Sequence, residues 1–425
     1  MKSMLTFTSL FSLLISLLIP FGLMLSASAQ APASDTWPQW RGVERTGVVK
    51  GPAWPADLEG LTEQWSVKLA EGYPGPIVSA DKVFTVETKG KKDEIVRAFD
   101  RTTGEQIWEH SWAGSMKVPF FAASNGSWVR STPAYDDGNL FVGGIQDVLV
   151  CLDADTGKPV WTVDFKKRFK AKTPAFGMVC SPLVIGDHVY VQAGGGFCKL
   201  DKKTGETVWR GLDDGGGMNG SAFSSPVLAS IDGQQQLIVQ TRTLLSGVDP
   251  ETGKALWAKK IEAFRGMNIL TPSVVDNQVF TSSYGGGSFM VDLPESKAGK
   301  IVPAFEWQNK TEAYMSSPII IDGHAYMHLR NERMVCLDLE TGETKWKSPK
   351  AVGKYMSMAR QGDKILGLTE RGQLMLIKAS PDKMDVVSSK KISNQQTWGH
   401  IAVAGNQVFV RELKGLKVFI WEDVL

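Results

Sequence analysis

Asp100-Arg-Thr-Thr-Gly104-Glu-Gln-Ile-Trp108 is the stretch on which the fold turns, because the chain repeats it. Asp153 to Trp161 (with Gly157), Asp201 to Trp209 (with Gly205), Asp249 to Trp257 (with Gly253) and Asp338 to Trp346 (with Gly342) keep the same spacing. Asp292 to Trp307 is a stretched copy. Clear neighbours lie about 40–50 residues apart, the length of one four-stranded propeller blade. Each part has a mechanical reading. The apolar run before the Asp, as in Leu149-Val-Cys-Leu152, is a strand. The Asp carboxylate can accept N–H groups of the following turn, and the Gly supplies a positive φ. The Trp opens the next strand, and burying its ring removes roughly 200 Å² from water, an upper bound of about 4–5 kcal/mol. The repeated Asp, Gly and Trp residues are therefore structural, and the Asp set is not catalytic.

A second signal counts the units independently. Gly75-Pro76, Ser131-Thr-Pro133, Ser181-Pro182, Ser225-Pro226, Thr271-Pro272 and Ser317-Pro318 each precede a short strand and a polar turn. Arg360-Gln-Gly-Asp363 and Ala404-Gly-Asn406 continue the series without the Pro, giving eight units. Trp65, Trp108, Trp161, Trp209, Trp257, Trp307 and Trp346 head outer strands, and the eighth outer strand, around Val386, has none. Trp65 lacks inner strands before it, and the segment from Trp398 to Trp421 lacks an outer strand after it. Joined, they complete one blade and remove the exposed edges of an open stack. The expectation is all-β: one eight-bladed propeller over 61–425, with residues 30–60 as an N-terminal extension packing on it.

Residues 1–29 read as a secretory signal: Lys2, an apolar run from Leu10 to Leu25, and Ala27-Ser-Ala29 before Gln30. No Cys follows that run, which argues against a lipoprotein anchor; a retained membrane anchor is the alternative. A periplasmic or secreted monomer is expected. Cys151 and Cys336 fill the same slot of different blades, and Cys180 and Cys198 fall on non-adjacent strands of one blade, so four free thiols are expected rather than disulfides. The formal net charge of +2 does not suit a nucleic-acid binder. One inter-blade loop, Lys166-Lys-Arg-Phe-Lys170-Ala-Lys172, is strongly basic. It is either a solvated loop or a surface for an acidic partner.

Residues just before the inner strands, and loops between second and third strands, should line the central funnel of one face. The candidates are Trp128, Arg130, Asn219, Arg265, Asn268, Tyr314, Arg330, Tyr355, Trp398 and His400. Met178, Met218, Met267, Met315 and Met356 accompany them, more simply as packing. His400 also reads as a hydrogen-bonded structural residue, and Arg130 as a tie for the loop Glu109 to Ser127. Aromatic, Arg and Asn side chains suit a flat organic ligand or a peptide strand, through stacking and charge-assisted bonds. No Gly-x-Ser-x-Gly, His-Glu-x-x-His or Cys-x-x-Cys-His motif occurs, and no catalytic residue or metal ligand is assigned.

The repeated Asp-x-x-Thr-Gly-Glu/Lys-x-x-Trp, with Ser-Pro before the inner strand, resembles the PQQ-binding-like β-propeller repeat family over about residues 61–425. Trp37-Pro-Gln-Trp40-Arg-Gly42 resembles the N-terminal segment of exported bacterial members. The resemblance implies one of two functions. One branch is the quinoprotein dehydrogenases, which oxidise alcohols or sugars with pyrroloquinoline quinone and calcium. The other resembles the propeller subunit of the outer-membrane β-barrel assembly machinery, which binds proteins without catalysis. Many dehydrogenases of the first branch place adjacent disulfide-bonded Cys beside the quinone; no two Cys are adjacent here, and no calcium ligand or catalytic Asp can be matched. The expected function is a noncatalytic binding propeller that recognises an envelope protein, a peptide or a small ligand. A quinoprotein dehydrogenase is the alternative.

Overall fold

Short strands separated by Asp and Gly turns fold into eight four-stranded antiparallel sheets, the blades of a propeller. The computed structural model describes residues 35–214, 223–294 and 301–421. Blade 1 consists of Ile77–Val78, Lys82–Lys89, Asp93–Asp100 and Gln106–Ala113, from the inner strand outward. Blades 2 to 7 repeat that order, starting on Ala134–Asp136, Leu183–Ile185, Val227–Ile231, Ser273–Val275, Ile319–Ile321 and Met356–Gln361. Blade 8 joins the two ends of the chain. Ala402–Ala404, Gln407–Glu412 and Gly415–Trp421 are its inner strands, and Leu61–Lys68 is its outer strand, with Trp65 opposite Val418. Among the described residues helix is nearly absent: Phe165–Phe169 forms one α-helical turn within the basic loop, capped by Asp164, whose carboxylate accepts Lys167 N at 3.1 Å.

Burial follows position in the blade. Second strands such as Asn139–Gly144 are buried on both faces, whereas the outer strand Ala304–Asn309 alternates exposed and half-buried residues. Apolar clusters form between neighbouring blades: Val96 and Trp108 of blade 1 pack with Leu140 and Val150 of blade 2.

The repeated motif links each blade to the next. In every blade the pairing of third and fourth strands slips by one residue, as between Ala98 and Phe99 or Cys151 and Leu152. A bulge of this kind re-aims the side chain beside it. The indole of Trp108 reaches into blade 2, where Nε1 donates to Ala154 O at 2.9 Å. Trp65, Trp161, Trp209, Trp307 and Trp346 do the same, to Arg101, Lys202, Pro250, Leu339 and Ser380 carbonyls at 2.8–3.1 Å. Trp65, Trp108 and Trp257 are buried, and Trp161, Trp209, Trp307 and Trp346 half-buried. The Gly of the next motif lies flat on each of five of these rings. Gly157 has φ 69°, and a Cβ there would sit 2.5 Å from the Trp108 ring. The glycine is thus required twice, for its backbone and for ring contact. Trp257 departs from the pattern: blade 5 carries the stretched copy without Thr-Gly, and Trp257 Nε1 turns to Gln236 Oε1 of its own blade at 2.8 Å.

The Asp residues act as read. Asp100 Oδ1 accepts Thr102 N at 2.9 Å and Thr103 N at 2.8 Å, and Asp153, Asp201, Asp249 and Asp338 repeat the arrangement. All four cysteines are buried and free. Burial pushes Cys180 and Cys336 up to about 11 and Cys151 and Cys198 to about 12, so all four stay protonated at neutral pH.

Residues 37–49 run through the axis. Trp37 bridges to Val78 of blade 1, and Pro38 O accepts Tyr135 N of blade 2 at 2.7 Å. Arg45 donates to the Pro182 and Pro226 carbonyls of blades 3 and 4. Trp40 Nε1 donates to Thr271 Oγ1 of blade 5 at 3.1 Å, and Arg41 to Pro318 O of blade 6 at 2.5 Å. Val49 N donates to Arg360 O of blade 7 at 2.8 Å, and His400 of blade 8 packs edge-on against Trp40 with ring centres 4.8 Å apart. One segment therefore touches every blade. Arg41 and Arg45 are buried with carbonyls as partners and no carboxylate ion pair among the described residues; burial lowers them to about 10 and about 9, still charged at neutral pH.

Candidate functional site

A cavity of about 180 Å³ opens on the axis at the face where the inner strands begin. Its walls follow a simple rule of chain geometry. An extended chain alternates its side chains between two faces. Counting back from each corner Pro, the first and third residues line the cavity: Arg130 and Thr132 before Pro133, Val179 and Ser181 before Pro182, Phe223 and Ser225 before Pro226, Ile269 and Thr271 before Pro272. Met315, third before Pro318, and Tyr73, third before Pro76, join them. Trp398 and His400 show the same alternation without a Pro; Tyr355 and Trp40 complete the lining.

The corner hydroxyls lock neighbouring blades around this opening. Gly75 N donates to Thr132 Oγ1 at 2.9 Å, Thr132 N to Ser181 Oγ at 3.2 Å, Ser181 N to Ser225 Oγ at 2.9 Å, and Thr271 N to Ser317 Oγ at 3.1 Å. Each hydroxyl satisfies a buried N–H one blade away. The side chains above them are held by that framework.

Aromatic rings dominate the wall. Tyr355 stacks on Trp398 with ring centres 5.5 Å apart, Tyr73 meets Trp398 at 6.1 Å and Trp128 edge-on at 5.7 Å. The Arg130 guanidinium lies 5.5 Å from the centre of the Tyr73 ring and donates to Gly126 O at 2.6 Å. Burial lowers the Arg130 pKa from its ordinary value. His400 Nδ1 sits 2.7 Å from Ile401 O, and burial, with Arg41 nearby, pushes its imidazole down to about 3. It is neutral throughout the physiological range, so it is no proton carrier near pH 7. Burial raises the Tyr73 and Tyr355 phenols. No described lining residue is an Asp or Glu.

The candidates named from sequence separate accordingly. Arg130, Tyr355, Trp398 and His400 line the cavity, and Trp128 backs Tyr73. Asn268, the fourth residue before its Pro, points the other way: it is buried, and Nδ2 donates to Arg242 O at 3.0 Å. Tyr314, also fourth, packs edge-on against Tyr284 at 5.5 Å. Arg265 and Arg330 are exposed and lie over Phe264 and Tyr284, outside the cavity. Asn219 and Met218 lie outside the described residues. Sequence reasoning missed Trp40, Tyr73, Val179, Phe223, Ile269 and the corner hydroxyls of Thr132, Ser181, Ser225 and Thr271; counting back from Pro in steps of two finds all but Trp40.

The lining does not suit pyrroloquinoline quinone with calcium. Calcium takes about six to eight oxygen ligands, carboxylates prominent among them, and the described walls offer none. Among the described residues no group of three or more His, Cys, Asp or Glu side chains converges. The volume is also below the roughly 300–1,000 Å³ of pockets that enclose drug-sized ligands. It suits one or two side chains of a larger partner.

Known proteins bear on the fold. The outer membrane protein assembly factor BamB of Yersinia pestis is 24% identical over 302 residues, 67% of this chain and 70% of the relative. The crystal structure of BamB from Moraxella catarrhalis covers 85% of this chain, and 98% of its own, with a TM-score of 0.62 at 16% identity. A quinohemoprotein alcohol dehydrogenase from Comamonas testosteroni covers 92% of this chain and 81% of its own, with a TM-score of 0.55 at 14% identity. Residues 92–348, more than half of the chain, match the model of the family described as outer membrane protein assembly factor BamB, and the chain belongs to that family.

Proposed function

We propose that this chain is an exported, noncatalytic binding propeller that serves protein assembly in the cell envelope, holding a segment of an envelope protein at the axial cavity. Residues 1–29 would be its export signal, and the mature chain a monomer. The observation that carries this reading is the cavity wall: rings and one guanidinium, no described carboxylate, and an imidazole held neutral. Such a wall binds by stacking, each ring pair contributing about 0.5–1.5 kcal/mol beyond its area, and by charge-assisted bonds from Arg130. Among the described lining residues there is no carboxylate, the imidazole is neutral and burial raises the Tyr73 and Tyr355 phenols, so none of these groups is poised for proton transfer near pH 7. The family's name and its relatives in outer membrane protein assembly support the setting.

The test compares envelope proteins retained by the wild-type chain with those retained by Trp398→Ala and Arg130→Ala. Both variants should lose the same partner. Unchanged retention in both would overturn the reading. Uptake of the quinone with calcium, with dye reduction on an alcohol or sugar, would instead support the dehydrogenase alternative.

A further inference from the structure

One sector of the cavity face carries rings left open by the rest of the chain. Phe120 is 91% and Phe121 54% exposed, on the 3-10 turn Phe120–Asn125. Phe121 meets Phe120 at 5.7 Å and Phe176 at 6.2 Å; Phe176 meets Phe223 at 5.6 Å, and Phe223 is a cavity wall. The rings form a continuous track leading away from the cavity wall at Phe223, across the connections that lead into blades 2, 3 and 4. Exposed apolar surface of this kind, continuous with a cavity, marks an interaction site. Three ring-to-ring steps match the reach of about five residues of extended chain.

The connections that carry Phe120, Phe121 and Phe176 are also cationic. Lys117, Lys170 and Lys172 are exposed, and none makes an ion pair among the described residues. Lys166 Nζ reaches Gln146 Oε1 at 3.1 Å, and Gln146 Nε2 reaches Ser115 O at 2.5 Å, so the connections bearing Lys117 and Lys170 lie side by side. Asp164 does not neutralise them: it caps the helical turn and pairs with Lys167 at 3.3 Å.

We propose that this track receives an extended acidic protein segment, with an aromatic or large apolar side chain in the axial cavity and carboxylates against Lys117, Lys170 and Lys172. The proposal rests on the binding-propeller reading and adds the chemistry of the partner. The test uses the whole mature chain and fluorescently labelled peptides of about ten residues: one acidic with a central Phe, one with every acid replaced by Lys, and one with Phe replaced by Ser. The acidic Phe peptide should bind at least about tenfold tighter than either control, and its affinity should fall with salt. Phe121→Ala, and Lys170→Glu with Lys172→Glu, should each weaken it about tenfold; these exposed sites leave the fold intact, which circular dichroism checks.

Equal binding of acidic and basic peptides, or no effect of the charge reversal, overturns the proposal. So does a preference for anionic lipid vesicles over the peptide. If the peptides fail while Trp398→Ala still releases an envelope protein, the acidic-segment proposal falls alone. If Trp398→Ala also changes nothing, the binding-propeller reading falls with it.

Discussion

Replacing Glu94 by Gln should change how stability depends on pH. Glu94 lies on the third strand of blade 1 and is fully buried. Its Oε1 accepts Ile145 N of blade 2 at 2.7 Å, and its Oε2 accepts Trp112 Nε1 at 2.7 Å. Burial raises the carboxyl from its ordinary 4.5 to about 7, with those two bonds pulling the other way. The folded value therefore exceeds the unfolded one, and the native state holds more protons between about pH 4.5 and pH 7. Stability from this group is fully present below that window and is lost as pH rises through it. The shift corresponds to roughly 3 kcal/mol. Gln is neutral at every pH and removes that loss, but its amide N cannot accept one of the two N–H groups, at a cost of about 1–3 kcal/mol. At pH 5, just inside that window, the variant should be the less stable protein by somewhat less than that cost. By pH 8 the difference should have moved about 3 kcal/mol in its favour, near parity or beyond. Urea unfolding at pH 5, 6, 7 and 8 measures the gap, and the other titrating groups cancel in the comparison. A gap that stays constant across the series would refute the reasoning.

Gly157→Ala should cost about 2–4 kcal/mol, from the left-handed backbone and a Cβ 2.5 Å from the Trp108 ring. Gly138→Ala, with similar φ and open space around it, should cost about 1 kcal/mol; equal urea midpoints for the two would deny the ring contact. Arg45→Met should destabilise by about 3 kcal/mol or more, since it strips hydrogen bonds from the Ser181, Pro182 and Pro226 carbonyls; an unchanged midpoint would mean the axial segment contributes nothing. Hydrogen bonds from the turns hold Asp100, Asp153, Asp201, Asp249 and Asp338 below the usual carboxylate range. Their contribution is present above the unfolded value and is lost as pH falls through the folded one, so Asp153→Asn should flatten the acid limb of a stability–pH curve.

The fold was legible because its signals are periodic and local. Asp100 to Trp108 states a strand, a turn and an inter-blade link within nine residues, and the repeats confirm one another. Closure was legible because Trp65 and Trp421 each sit on a strand that lacks the partner the other supplies. The cavity was half legible. Arg130, Trp398 and His400 stand out by position, yet Asn268 and Tyr314 were admitted beside them, one residue out of phase with the alternation that decides which side chains meet the axis. Polarity drew attention to Asn268, but a polar side chain near an axis can equally satisfy a carbonyl inside the wall. Trp40 was out of reach for a different reason. It lies outside the repeats, so no spacing predicts that Trp37 to Val49 threads the ring.

That threading ties the site to the closure of the ring. The chain enters through the axis at Trp37, leaves at Val49, and becomes the outer strand of blade 8 at Leu61. Trp40 meets His400 in the cavity wall, and Leu61–Lys68 pairs with Gly415–Trp421 to complete blade 8. Both contacts join residues more than 300 positions apart, where the loop-closure cost is largest. Neighbouring blades cohere through indoles and corner hydroxyls, and the N-terminal stretch adds Trp40 to the cavity and Leu61–Lys68 to the last blade.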